Sequence, residues 1–145
     1  MAGDSPLHTA IALDGDFSCI AEARQFAGSF LDRIQADHGV PISSRAMEMT
    51  RLVVSELVTN ARKYAPGPAL LELRVADARV EVTVWDSDPA LPVARAAEPG
   101  RIGQHGLEIV VAVAQSFEAR REPVGKRITA TIALLDDPDA DTAIC

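Results

Sequence analysis

Polar and apolar residues partly alternate from Leu7 to Leu13 (LHTAIAL), and the run halts at Asp14-Gly15-Asp16. That pattern predicts a short strand closed by a turn. From Phe17 the period changes. Phe17, Ile20, Ala23, Ala27, Phe30, Leu31 and Ile34 recur at spacings of three and four, which predicts a helix reaching about Asp37, with Gly39 and Pro41 as its stop. Phe26 and Phe30 are assigned to the core rather than to an interface, because this helix needs a buried stripe. Ser43 or Ser44 offers a side-chain oxygen to cap a second helix, which continues through Met49, Val53, Leu57 and Tyr64 to Pro66-Gly67. Two alternating runs follow, Ala69 to Val75 and Val80 to Trp85, separated by Ala76-Asp-Ala-Arg79. They read as an antiparallel hairpin.

The next stretch, Asp86 to Gly103 (DSDPALPVARAAEPGRIG), holds three prolines and two glycines and follows neither period. It reads as a long loop, and loops of this length in a small domain are usually functional or disordered. Helical spacing returns from Gln104 to Gln115. Ser116 to Arg120 and Arg127 to Leu134 then form a last hairpin around Pro123-Val-Gly125. The order is strand, helix, helix, two strands, loop, helix, two strands. It predicts an α+β two-layer sandwich, with a mixed, mainly antiparallel sheet and the helices on one face. The other sheet face must then be polar or covered. One domain over residues 1–145 is expected, with its core at about 7–134 and an acidic, frayed tail at 136–145.

Composition removes several classes of function. The 145 residues carry a formal net charge of -7, and a phosphate-backbone binder needs clustered Lys and Arg, so no nucleic-acid partner is expected. Two cysteines, Cys19 and Cys145, form no CxxC pair and no Cys/His zinc spacing, which excludes a disulfide framework or structural zinc. The first residues lack the basic start of a signal peptide, and no apolar run approaches the roughly 18 residues of a membrane span. A cytoplasmic protein with no membrane partner is the expectation.

Three short segments hold candidate chemistry. In SELVTNARKYA, Glu56, Asn60 and Lys63 are four and three residues apart and fall on one helical stripe. Glu56 can accept a proton, Asn60 offers an amide oxygen to a hard cation, and Lys63 gives a point charge for phosphate. The same stripe also reads as a solvated polar face. In WDSDP, Asp86 at a strand end can accept from the exocyclic amine of a base, or simply cap a turn. In GRIGQHGLEIV, Gly103, His105, Gly106 and Leu107 open a helix, where glycines permit close approach and free N–H groups attract phosphate. His105 belongs to no triad motif.

Together these segments resemble the histidine-kinase-like ATPases (the GHKL superfamily, with the Bergerat ATP-binding fold). ELVTNARKYA looks like their N box, WDSDP stands in the place of their first glycine box, and GRIGQHGLEIV looks like their second. The resemblance covers roughly Leu7 to Leu134 and is nearest to the anti-sigma-factor, serine-protein-kinase branch. It implies ATP and Mg²⁺ as cofactors, with Asn60 as the metal ligand and Glu56 as the catalytic base. It also implies that Asp86 holds the adenine amine, and that Gly103, His105, Gly106 and Leu107 frame the phosphates, with Lys63 a further contact. A sigma factor and an anti-anti-sigma antagonist are the implied partners, and a homodimer the implied assembly. The chain departs from the family at the first glycine box, usually Asp-x-Gly-x-Gly, where the glycine positions hold Asp88 and Ala90 around Pro89.

The leading expectation is therefore a regulator that sequesters a sigma factor and uses Mg-ATP to phosphorylate a serine of its antagonist. The alternative is a non-catalytic protein-binding module of the same fold, which the altered glycine box favours. The catalytic domain of a two-component histidine kinase ranks below both, because His8, His38 and His105 do not sit on a helical hairpin suited to phosphorylation.

Overall fold

The computed structural model describes residues 7–13, 18–64, 67–87 and 104–135. Strand β1 (His8–Leu13) leads into two long helices, α1 (Ser18–His38) and α2 (Ser44–Tyr64). The hairpin of β2 (Ala69–Ala76) and β3 (Arg79–Asp86) comes next, followed by α3 (Gln104–Val113) and a last hairpin of β4 (Ser116–Arg121) and β5 (Lys126–Ala133). The five strands form one sheet in the order β1-β2-β3-β5-β4, and every pairing is antiparallel. The expected sandwich is present. Its sheet is antiparallel throughout the described strands, where the sequence reading had allowed a mixed one.

Each helix boundary has a local cause. The α2 N-cap is Ser43, whose Oγ accepts from the Ala46 N–H at 3.0 Å, satisfying one of the unpaired donors of the first turn. At the end of α1, Gly39 takes φ 65° and its N–H donates to Gln35 O at 3.2 Å, a left-handed terminator that suits glycine. The two-residue turn between β2 and β3 is Asp77-Ala78, with φ values of 54° and 61°. Positive φ at both central residues matches the right-handed twist of the strands.

The core lies between the helices and one face of the sheet. Ala23, Ala27, Phe30, Leu31 and Ile34 of α1 are buried, as the spacing predicts, and so are Val53, Val54, Leu57, Val58 and Ala61 of α2. Phe30 belongs to this core, and Phe26 is half-buried against it. Inward strand positions alternate strictly: Leu71, Leu73 and Val75 on β2, Val80, Val82 and Val84 on β3, Ile128, Ala130 and Ile132 on β5. Burying each such Val, Leu or Ile side chain contributes about 1.5–3 kcal/mol before entropy is counted.

The opposite sheet face is polar, one of the two options the pattern left. Glu72 of β2 accepts from Arg127 of β5 at 2.9 Å and lies 3.6 Å from His8 of β1. Thr83 and Thr129 share a hydrogen bond of 3.1 Å. Cross-strand polar pairs of this kind contribute a few tenths of a kcal/mol each, while keeping the face soluble. Among the described residues no helix is long and apolar enough to cross a membrane.

Candidate functional site

The topology gives the sandwich two distinct ends. At one, the Ser43 N–H donates to Leu134 O and the Leu134 N–H donates to Ala78 O, which joins the start of α2, the end of β5 and the β2–β3 turn. At the other lie the end of α2, the start of β2, the end of β3 and the start of β5. Arg62 on the last turns of α2 donates through Nη2 to Gly67 O, and Gly67 packs beside Ser87. Asp86 lies at this second end, and Asn60 stands on α2 two residues before Arg62.

The α2 stripe carries Glu56 and, one turn nearer that end, Asn60. Asn60 is buried at 7% exposure and Glu56 is half-buried. A solvated polar face would leave both in water, so Asn60 departs from that bland reading. Lys63 lies in the last turn of α2; its side chain is outside the described residues. Helix α3 packs on α2, and its C-terminal Val113 shares a groove with Arg45, Ala46 and Met49, Ile132 and Leu135 at the far end. Its N-terminus, Gln104, is thereby turned toward the site end, where the dipole and free N–H groups of a helix start favour an anion. His105, Gly106 and Leu107 stand in that first turn with side chains outside the described residues, as is the whole of Gly103. Asp88, Pro89 and Ala90 also lie outside them.

Asp86 closes β3 on its inward side and is completely buried. Its partner was missed in the sequence. Lys126, the first residue of β5 and the register partner of Asp86, donates from Nζ to Asp86 Oδ1 at 2.9 Å, and both side chains are 1% exposed. The signal was legible. The inward parity of Ile132, Ala130 and Ile128 continues to 126, and that of Val80, Val82 and Val84 continues to 86, so opposite charges were bound to meet on one face.

The hairpin tip holds this pair in place. Gly125 takes φ 80°, and a Cβ there would stand 1.9 Å from Asp86 O, so only glycine fits against the β3 backbone. The Trp85 indole N–H donates to Val124 O at 2.9 Å. These contacts fix the β4–β5 tip, and hence Lys126, relative to Asp86.

Among the described residues no cluster of three or more His, Cys, Asp or Glu could hold an ion. An amide oxygen such as that of Asn60 fits Mg²⁺ where substrate phosphates and water complete the shell. The arrangement can therefore offer a proton acceptor at Glu56, a cation ligand at Asn60 and a carboxylate with a fixed donor beside it at Asp86.

Known proteins place this geometry in context. The structure is similar to the RsbU and RsbW domains of Rv1364c from Mycobacterium tuberculosis, with a TM-score of 0.64 at 19% identity over 90% of this chain. It takes in 34% of that protein, so the chain spans about a third of the relative's length. The histidine kinase domain of the Erythrobacter litoralis EL346 blue-light activated histidine kinase aligns at a TM-score of 0.48 and 21% identity, over 77% of this chain and 61% of that one. The Acinetobacter baumannii histidine kinase AdeS aligns at 0.49 and 16%, over 87% and 68%. No curated protein matches the chain. The family model for the histidine kinase-like ATPase domain matches residues 18–132, the span from the start of α1 to the end of β5, and the chain belongs to that family.

Proposed function

We propose that this chain binds Mg-ATP at the end of the sandwich where α2, β3 and β5 meet, and transfers phosphate to a serine of a partner protein as an anti-sigma regulator. The observation that carries the reading is the burial of Asn60 on the α2 stripe, beside half-buried Glu56 and at the same end as buried Asp86. The RsbW domain of the Mycobacterium tuberculosis protein supports the anti-sigma branch through its shared fold.

Phosphoryl transfer needs positioning and charge stabilisation more than covalent chemistry. Magnesium, when bound, neutralises charge on the transferred phosphoryl group. Asn60 would hold that ion through its amide oxygen. Glu56 would take the proton of the incoming serine hydroxyl, so that the oxygen attacks phosphorus as the bond to the leaving diphosphate breaks. Asp86 would accept from the base, and the first turn of α3, with Gly103 before it, would offer N–H groups to the phosphates. A phosphoserine on the antagonist would then disfavour rebinding by repulsion and desolvation. The sigma factor, the antagonist and the homodimer belong to this reading.

A second reading is a protein-binding module with little nucleotide affinity. Two features favour it: Asp88 and Ala90 stand at the glycine positions of the first box, and the Asp86 carboxylate is already engaged by Lys126.

Calorimetric titration with ATP and ADP, with and without Mg²⁺, separates the two. Magnesium-dependent binding that is lost in Asn60→Ala, while the variant stays folded, is the expected result. No binding to the folded wild type would leave the binding module. Unchanged affinity in Asn60→Ala would remove that residue from the site.

A further inference from the structure

The buried stripe of α2 runs through Val54 and Val58, and a further step of four residues lands on Arg62, which is only 6% exposed. An apolar residue would continue that stripe at the least cost, because a buried guanidinium keeps its place only where hydrogen bonds replace water. Arg62 has such an acceptor. Its Nη2 donates to the Gly67 carbonyl, in the connection between α2 and β2. That carbonyl is itself held, since Ala69, two residues on, pairs with Asp86, and a Cβ on Gly67 would lie 3.4 Å from Ser87 Oγ. Arg62 therefore ties the last turn of α2 to the strand ends around Asp86.

The last turn of a helix is where such a tie matters. Its carbonyls lack partners inside the helix, so the turn frays unless something outside pins it. Asn60 stands at the edge of that turn: α2 ends at Tyr64, and in the helical ladder the Tyr64 N–H closes on the Asn60 carbonyl. Glu56, a full turn earlier, has helix on both sides. Fraying would thus loosen Asn60 and leave Glu56 in place. A cation near the helix C-terminus opposes it further through the dipole.

We propose that Arg62 is a positioning residue for Asn60: by clamping the end of α2 to the entry of β2, it holds that amide where a Mg-nucleotide needs it. The inference rests on the nucleotide reading given above. Arg62 acts through the backbone of the last turn rather than by touching the nucleotide.

Two measurements on the full chain test it. Amide hydrogen exchange without nucleotide reads the clamp. In Arg62→Leu, which suits both the helix and the buried stripe, exchange at Lys63 and Tyr64 is expected to quicken about fivefold or more while Val53, Val54 and Leu57 stay near wild type, a local change that a general loss of stability would not give. Calorimetric titration with Mg-ATP reads the consequence. Affinity is expected to fall about fivefold or more in Arg62→Leu and to recover in part in Arg62→Lys, which keeps a donor for the same carbonyl. Exchange at Lys63 and Tyr64 that does not quicken, a uniform quickening along α2, or a smaller fall in Mg-ATP affinity overturns the proposal. If circular dichroism shows that Arg62→Leu is unfolded, Arg62→Gln is measured against the same limits. Failure of folded wild type to bind Mg-ATP overturns the nucleotide reading, and this proposal with it; wild-type binding that Arg62→Leu leaves intact overturns only the role of Arg62.

Discussion

Removing the cation from beneath Asp86 gives the sharpest test of how this end of the fold is held. Lys126→Met keeps the length of the side chain and deletes its charge, leaving the Asp86 carboxylate in a place that is 1% exposed. At 2.9 Å and an effective dielectric of about 20, the Coulomb attraction is about 6 kcal/mol. Desolvation of two ions offsets most of it, at several kcal/mol each. The net value of the pair is therefore small, whereas the cost of breaking it on one side is about 3–5 kcal/mol. That is a large share of the roughly 5–15 kcal/mol by which a domain is stable.

A double-mutant cycle separates these quantities. Urea denaturation of wild type, Lys126→Met, Asp86→Val and the double variant should give a loss of about 3–5 kcal/mol for Lys126→Met and near-wild-type stability for the double variant. The m-value should stay constant across the set, since the surface exposed on unfolding barely changes. A loss below about 1 kcal/mol in Lys126→Met would refute the reasoning, because a buried carboxylate cannot lose a cation at 2.9 Å so cheaply. A double variant no more stable than either single one would refute it as well, showing that side-chain volume rather than charge governs the site.

Two backbone positions yield further predictions. Gly125→Ala combines left-handed strain of roughly 1–2 kcal/mol with a Cβ that would sit 1.9 Å from Asp86 O, so the hairpin tip must shift. A loss of about 3 kcal/mol is expected, seen as a fall in melting temperature of about 10 °C, and a fall under 2 °C would show that the tip yields freely. Ala78→Gly relieves strain at φ 61° but adds freedom to the unfolded chain, for a net gain of about 0.5 kcal/mol; a loss of stability in the same denaturation assay would show that the turn does not hold that conformation.

The fold was largely legible because its elements obey one period each. The seven spaced apolar residues from Phe17 to Ile34 announced α1, and strict alternation from Val80 to Trp85 announced β3. The turn before β3 was placed correctly as a hairpin, but its positive-φ alanine was invisible, because Ala carries no propensity for that region and tertiary pairing imposes it. Of the candidate site, the α2 stripe was readable from helical geometry, while the burial of Asn60 was not, since a stripe shows which residues share a face and not what covers it. Lys126 escaped because β5 was begun at Arg127, and a lysine is rarely expected inside. Extending the parity by one residue would have found it.

The gathering of these residues needs no instruction beyond connectivity. Antiparallel neighbours bring the end of one strand beside the start of the next, so the end of β3 and the start of β5 must meet, and Asp86 faces Lys126. Helix α2 feeds β2, whose first residue Ala69 pairs with Asp86. The last turns of α2, with Asn60 and Arg62, are therefore delivered to the same edge. Helix α3 ends at the opposite edge beside Arg45 and Met49, which sends its N-terminal dipole back toward the site. The proposed nucleotide would meet the Asn60 amide with its metal and the N-terminus of α3 with its phosphates. A simple anion satisfies only the helix end. An apo-like affinity for inorganic phosphate alone, equal to that for ATP, would break this chain of argument at its last link.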